Sequence, residues 1–356
     1  MRERGELRCL IAAGGTAGHV LPALAVAEEL QARGASVTFA GSPERVEARL
    51  VPEAGYELDT FAISGLPRRL SPALLRALAR AGAAPVECVR ILRARRPDVV
   101  LGAGGFVAGP MVLAAWTQRV PAALTEADAR LGLANRLAAP FAGRVFLAYD
   151  IPVRRGPKYR VVGRPIPARS RPVPRMEARA GFGLPRDGPV LGVFGALAGA
   201  HALNEAAVAA FGLEGPAVLH LAGERDVEAL RARVSRPDYV LLSSTDEFGA
   251  ALSAVDLALS RAGGTVWELA AVGVPAVLVP YPHATGDHQW LNAQHFVRAG
   301  GAVAVRDPSE AASLARELLA DPERLEEMRA AMLAAARPDA AERIAEELIE
   351  LAAARR

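Results

Sequence analysis

Two cysteines in 356 residues, Cys9 and Cys88, are too few for a disulfide framework or a cysteine-based zinc site. Cys9 lies in an apolar run that reads as a buried strand, the setting of an inert core thiol. Lysine is almost missing too. Lys158 is the only one, so nearly all of the 42 basic residues are arginine, set against 39 acidic ones. A net charge of +3 gives no whole-molecule attraction to nucleic acid, and none is expected as a partner. The six histidines are scattered without metal-ligand spacing, so no metal is expected. Glu126 and Asp128 form a carboxylate pair, but neither a histidine nor an Asp-x-Asp accompanies them. Long hydrophobic runs are also lacking. Leu101 to Trp116, Gly188 to Asn204 and Leu269 to Gly286 are uncharged, yet each falls short of the ~20 apolar residues of a span and is broken by glycine or proline. At the N-terminus, Glu3 and Glu6 dilute the positive charge, and a very short apolar run enters a glycine motif directly, unlike an export signal. The expectation is a reduced, intracellular protein.

What the chain does have is apolar material for two cores, 51% hydrophobic against 23% charged. Its length suggests about two domains. Apolar strands alternate with helical spacing: Leu7 to Ala13, Leu21 to Arg33, Ser36 to Gly41, then Pro97 to Gly105 and Val120 to Ala127. Residues 152 to 189, rich in proline, glycine and arginine, read as an interdomain connection. Alternation resumes with Pro189 to Gly195, Ala217 to Gly223, Tyr239 to Ser244, Val255 to Ser260 and Pro275 to Tyr281. Domains are expected over 1–160 and 161–337. From Ser309 the chain reads as helical, with helix starts at Asp321-Pro322 and Pro338-Asp339. The halves echo each other: IAAGGTAGH with GVFGALAGAH, and LGAGGFVAG with LSRAGGTVWE. The fold class that follows is α/β, two Rossmann-like units, with ligand expected at the strand carboxyl ends in the cleft between them.

The glycine turns carry the chemistry. GGTAGHVLP (Gly14 to Pro22) follows a strand and opens a helix; its glycines admit a ligand to the backbone and the helix N-terminus favours an anion. His19, at that helix start, is held neutral and is the candidate base. GAGGFVAGP (Gly102 to Pro110) offers a second anion-ready turn, suited to a second phosphate-bearing ligand. In the second half, Gly263, Gly264 and Thr265 precede Glu268, so amides can hold an α-phosphate while the carboxylate takes ribose hydroxyls. HATGDHQWLN (His283 to Asn292) offers groups suited to sugar hydroxyls. Leu66 to Gly82 places Arg68, Arg69, Arg76 and Arg80 beside Leu70, Leu74, Leu75 and Leu78. That segment can rest on an anionic membrane surface or be an ordinary solvated helix face.

Taken in order, GGTAGHVLPALAVAEEL, SGL (Ser64 to Leu66), PDVVLGAGGFVAGP, SRAGGTVWELAAVGVPAVLVP and QWLNA resemble the MurG family, nearly end to end. The resemblance implies GT-B architecture, with a last helix (338–356) returning to the first domain. It implies transfer of N-acetylglucosamine from UDP-GlcNAc, a substrate and not a cofactor, with inversion and without a metal. The acceptor would be the C4 hydroxyl of the muramoyl sugar of undecaprenyl-pyrophosphoryl-MurNAc-pentapeptide (lipid I), giving lipid II at the cytoplasmic face of the cell membrane. Carried over residue by residue, the donor falls to Thr16, Ala17, Gly18, Asp128, Arg164, Leu197, Thr245, Gly263, Gly264, Thr265, Glu268 and Gln289. The acceptor pyrophosphate falls to Gly14, Gly15, Gly102, Gly104 and Gly105, with Glu126 a further candidate. This sequence departs from the family at Ala17, where a glycine is usual, and at Thr125 to Asp128, where the family has His-Glu-Gln-Asn. Leu197 replaces a serine expected near the β-phosphate, and Arg164 to Pro167 replace Asn-Pro-Val-Arg. Loss of one charge-assisted phosphate contact costs about 1.5–3 kcal/mol. The alternatives are a glycolipid glycosyltransferase of the same fold, a UDP-sugar 2-epimerase, and a non-catalytic nucleotide-sugar binding paralogue.

Overall fold

A computed structural model describes residues 6–63, 72–195 and 199–354. The chain divides into two compact units: unit 1 is Met1–Pro165 with Pro338–Arg356, and unit 2 is Ile166–Arg337.

Unit 1 carries a seven-stranded sheet of β1 (Arg8–Ala12), β2 (Ser36–Gly41), β3 (Leu58–Thr60), β4 (Val99–Gly102), β5 (Ala122–Glu126), β6 (Arg144–Leu147) and β7 (Tyr159–Val161). Every pairing is parallel, in the order β3-β2-β1-β4-β5-β6-β7. The connecting helices are α1 (Ala17–Ala32), α2 (Glu47–Glu53), α3 (Pro72–Arg95), α4 (Gly105–Thr117) and α5 (Leu133–Ala138). A parallel sheet must be covered on both faces. β1 shows how this is met: Cys9 and Ile11 point into one core, Leu10 and Ala12 into the other. The first core is closed by α1 and by residues of the C-terminal helix, Ile344, Ala345 and Leu348. The second is closed by α4 together with Ala84, Cys88 and Leu92 of α3. Burial pushes the Cys9 thiol up to about 12, so it is the inert core thiol its strand implied.

Unit 2 repeats the plan with six strands, β8 (Val190–Phe194), β9 (Ala217–Leu221), β10 (Tyr239–Leu242), β11 (Leu257–Ser260), β12 (Ala276–Leu278) and β13 (Ala302–Ala304). The order is β10-β9-β8-β11-β12-β13, again all parallel. Its helices are α6 (Arg175–Gly181), α7 (His201–Phe211), α8 (Val227–Arg231), α9 (Phe248–Ser253), α10 (Thr265–Val272), α11 (His288–Ala299), α12 (Pro308–Leu319) and α13 (Pro322–Ala335). The chain then enters α14 (Ala340–Ala353), which belongs to unit 1.

In each sheet the chain starts in the middle, runs one way, then crosses back. The reversal lies between β1 and β4 in unit 1 and between β8 and β11 in unit 2. The four glycine motifs follow these four strands, at the positions where open parallel sheets bind ligands. The proline-rich stretch 152–189 contains the change of unit, as its composition suggests, but it is not linker throughout. It holds β7, a 3-10 turn (Ala168–Ser170) and α6, with the change of unit confined to Pro165 and Ile166. None of its prolines lies within β7; Pro167 immediately precedes the 3-10 turn and Pro174 immediately precedes α6.

Because Ile344 is fully buried against the core of unit 1, Ile344→Ala should lower that unit's unfolding free energy by about 2–5 kcal/mol. Denaturant unfolding resolved by unit should show the loss in unit 1 with unit 2 unchanged.

Candidate active site

In unit 1 the two glycine turns and His19 are brought together. Gly15 is left-handed (φ 91°), and Thr16 is the extended cap residue from which α1 starts. His19 sits in the first turn, with Thr16 Oγ1 and His19 Nδ1 3.3 Å apart. Across from it, Gly104 (φ 98°) and Gly105 (φ 72°) lead from β4 into α4. A Cβ on Gly104 would lie 2.5 Å from His19 Cδ2, and one on Gly105 would lie 2.1 Å from the Gly14 carbonyl oxygen. The loops therefore touch backbone to backbone and backbone to imidazole. Neither α1 nor α4 begins with a side-chain cap, which suits an anion at both starts. Gly102, the last residue of β4, is packed against Leu124, Val112 and Ala108 and acts as a spacer inside the core.

Glu126, at the end of β5, holds the following loop. Its carboxylate accepts from the N–H of Gly132 (2.8 Å), the N–H of Asp128 (3.2 Å) and Asn135 Nδ2 (3.0 Å). Burial raises its pKa, opposed by the hydrogen bonds from Gly132 and Asn135. Arg164 is buried and donates to the carbonyls of Gly18 (2.5 Å) and Ala127 (3.4 Å), tying the start of α1 to the loop after β5. It lies in unit 1, not among the residues of unit 2. Thr125, Glu126, Ala127, Gly18 and Arg164 line one small pocket.

In unit 2, Gly264 caps α10 and Glu268 stands in its first turn, where Glu268 Oε1 accepts from the hydroxyl of buried Ser170 at 2.6 Å. Gln289 Oε1 accepts from the N–H of Tyr281 at 2.8 Å, and its Nε2 lies 3.8 Å from where a Gly263 Cβ would be. Gly263, Gly264, Thr265, Glu268 and Gln289 thus gather around the start of α10. Half-buried Arg261 donates to the carbonyls of Val279 and Pro280, and its pKa is lowered by burial. Thr245 Oγ1 accepts from the N–H of Glu247, on the loop after β10. Gly199 (φ 74°) packs on the Ala222 carbonyl just before α7. His220 is a buried core histidine between Asn204 and Tyr239, and burial lowers its pKa to about 3.

Leu197, Arg68 and Arg69 lie outside the described residues, as does the Ser64 to Leu66 segment. Leu74, Leu75, Arg76, Leu78 and Arg80 fall on α3, a helix of 24 residues that continues to Arg95 and is longer than the short amphipathic segment expected. Two residues escaped sequence reasoning. Ser170 is 98 positions from its partner Glu268. Glu47 is a fully buried carboxylate that accepts from the N–H of Gly15, 32 positions away. Only pairing across the fold reveals either. Among the described residues, no three His, Cys, Asp or Glu side chains gather as a metal ion would need, and no helix is long and apolar enough to cross a membrane.

Comparison with known proteins agrees with the two-domain fold. Residues 9–147 match the glycosyltransferase family 28 N-terminal domain, and residues 190–344 match its C-terminal domain. The UDP-N-acetylglucosamine--N-acetylmuramyl-(pentapeptide) pyrophosphoryl-undecaprenol N-acetylglucosamine transferase of Acidithiobacillus ferrooxidans is 43% identical, covering 96% of this chain and 97% of that protein. The protein of the same name from Mycobacterium bovis is 42% identical over 98% of this chain and 90% of its own. Among solved structures, MurG of Acinetobacter baumannii superposes with a TM-score of 0.76 at 28% identity, over 97% of this chain and all of that one. The UDP-GlcNAc 2-epimerase of Neisseria meningitidis, at 14% identity and TM-score 0.67 over 97% of this chain and all of its own, shares the fold alone.

Burial gives Glu126 a testable signature. Its carboxyl should titrate above the ordinary value of 4.5, visible by carbon NMR against Glu126→Gln. A raised folded pKa means that the folded chain holds the proton more tightly than the unfolded one. Its contribution to stability is then present below the unfolded value and is lost as pH rises through the folded one. A midpoint at or below 4.5 would contradict the buried, loop-holding role.

Proposed function

We infer that this chain, which belongs to glycosyltransferase family 28 and within it to the MurG transferases, moves N-acetylglucosamine from UDP-GlcNAc to the C4 hydroxyl of the muramoyl sugar of lipid I, giving lipid II. The observation that carries the reading at the level of residues is the meeting of His19 with two glycine turns in one unit. A ribose-type carboxylate and a glycine-led helix start gather in the other.

The donor is assigned to unit 2. N–H groups at the start of α10, beside Gly264 and Thr265, meet phosphate oxygens, and Glu268 takes the ribose hydroxyls. The Ser170 hydroxyl occupies one face of Oε1 and so aims the carboxylate. Gln289, held through its oxygen by Tyr281, offers its amide N–H groups to the sugar. The acceptor is assigned to unit 1, with the amides at the starts of α1 and α4 facing its pyrophosphate. The Gly15 N–H is already given to Glu47, so the anion falls to the amides that follow it. His19, oriented by Thr16, takes the proton from the C4 hydroxyl. The oxygen then attacks the anomeric carbon, the bond from that carbon to the β-phosphate oxygen breaks, and UDP leaves with the electron pair, inverting the centre. Arg164, placed with the donor by family resemblance, and Glu126, a further candidate with no assigned side, are assigned here to holding the loops that flank His19, on the strength of their hydrogen bonds.

A lipid-linked acceptor stays in its bilayer, so the enzyme works as a peripheral protein at the cytoplasmic face of the membrane. The docking surface is assigned to unit 1. α4 packs against both α3 and α5, and near its end Trp116 is 56% exposed, with Leu133 and Leu137 of α5 at 56% and 65%. Exposed Arg119, Arg130 and Arg136 accompany them. Exposed apolar groups with arginines close by in the chain suit an anionic surface, at about 1 kcal/mol for each arginine near it.

Three measurements test these assignments. Turnover of folded His19→Ala should fall by about 10² or more with UDP affinity retained; near-normal turnover removes the base. Glu268→Ala should weaken UDP binding roughly tenfold or more by calorimetry, as loss of a charged acceptor worth about 1.5–3 kcal/mol does. Wild-type protein should bind anionic but not neutral vesicles in a salt-sensitive way, less so after Trp116→Ser with Leu137→Asp; binding indifferent to lipid charge would move the docking surface elsewhere.

A further inference from the structure

Glu47 is a buried carboxylate that the transfer step, as derived above, leaves unused. It opens α2, apart from both glycine motifs, and its side chain is fully buried. An acid in a first helical turn ordinarily interacts with its own helix N-terminus at the surface. This one is turned inward. Oε1 accepts from the N–H of Ser42 and Oε2 from the N–H of Gly15, each at 3.0 Å. Its neighbours are glycines for a physical reason. A Cβ on Gly14 would fall 2.3 Å from Oε1, and one on Gly41 would fall 2.7 Å from Cγ. On its far side Gly14 receives the second glycine turn: a Gly105 Cβ would lie 2.1 Å from the Gly14 carbonyl oxygen and 3.5 Å from His19 Nδ1. The layers run Glu47, Gly14, Gly105, His19, with no flexible side chain between them to absorb a displacement.

We propose that Glu47 is a positioning residue that sets the height of the β1–α1 loop, and so the placement of His19 against the second glycine turn. The inference rests on the assignment of His19 as base. The chemistry at position 47 demands a carboxylate. Two N–H donors arrive at its two oxygens, and a carboxylate accepts at both. A glutamine would turn its own N–H₂ against one of those donors, leaving a buried N–H unpaired and the loop displaced. An aspartate keeps both acceptors but is one methylene short of the loop. The effect on chemistry is indirect, through loop geometry, which separates Glu47 from the groups that touch substrate.

The test is a double-mutant cycle on the full chain, using UDP-GlcNAc and a soluble lipid I analogue. Glu47→Gln should lower kcat about tenfold or more in the wild-type background but no more than about twofold in His19→Ala, because the second change has already removed what the first displaces. UDP affinity, read by calorimetry on the full chain, should stay within about twofold, an outcome that general unfolding could not produce. Equal losses in both backgrounds would overturn the proposal by showing that Glu47 acts independently of His19, and so would an unchanged kcat in folded Glu47→Gln. Should Glu47→Gln fail to fold, Glu47→Asp runs the same cycle with the same expectation. If His19→Ala proves fully active, the base assignment falls first. Glu47 is then judged on its own loss of kcat at constant UDP affinity.

Discussion

Close backbone contact at the ends of the central strands is the constraint on which the rest of the molecule depends. Two turns that must bring amides, a carbonyl and an imidazole within contact distance have no room for side chains. Gly105 against the Gly14 carbonyl, Gly104 against the His19 ring and Gly14 against Glu47 are three cases of the same restriction. Each lies at the reversal point of a parallel sheet, where the strand order itself opens a crevice. Sheet topology makes the space, glycine permits the approach, and polar groups beneath the loops fix it.

The two units solve the same problem with different braces. In unit 1 the loops are held by buried ions, Glu47 under the first turn, Glu126 under the loop after β5, and Arg164 between them. In unit 2 the Ser170 hydroxyl holds Glu268 and the Tyr281 N–H holds Gln289 around the start of α10. In both units the partners are neutral donors or acceptors. Removing one side of a buried pair, such as Glu47, would leave the other unpaired at a cost of about 1–3 kcal/mol.

Much of this was legible in the sequence, for reasons that can be named. Apolar runs ending in glycine announce buried parallel strands that open into turns, so the central strands and the four glycine motifs could be placed in advance, whereas β3, β6, β7 and β13, which lack that signature, were not. His19 was visible because it follows the first turn directly. The braces were not, because their partners are distant in the chain. Nothing near Ser170 in the sequence points to Glu268, and Glu47 reads as an ordinary surface acid in RVEARLVPE. Composition marked the change of unit within residues 152–189 but not the elements there, because a proline before a 3-10 turn or a helix looks like a proline in a linker. Arg164 was assigned to the donor only through the family resemblance, and its engagement by the backbone carbonyls of Gly18 and Ala127 could not be read from the sequence.

The central claim is that these loops carry out sugar transfer with inversion, and not epimerisation on a shared fold. Proton NMR of the wild-type protein incubated with UDP-GlcNAc, with and without a short-chain lipid I analogue, tests it most directly. The account predicts a β-linked disaccharide and free UDP that appear together and only when the acceptor is present. An α-linked product, or conversion of UDP-GlcNAc to its 2-epimer in the absence of acceptor, would contradict it.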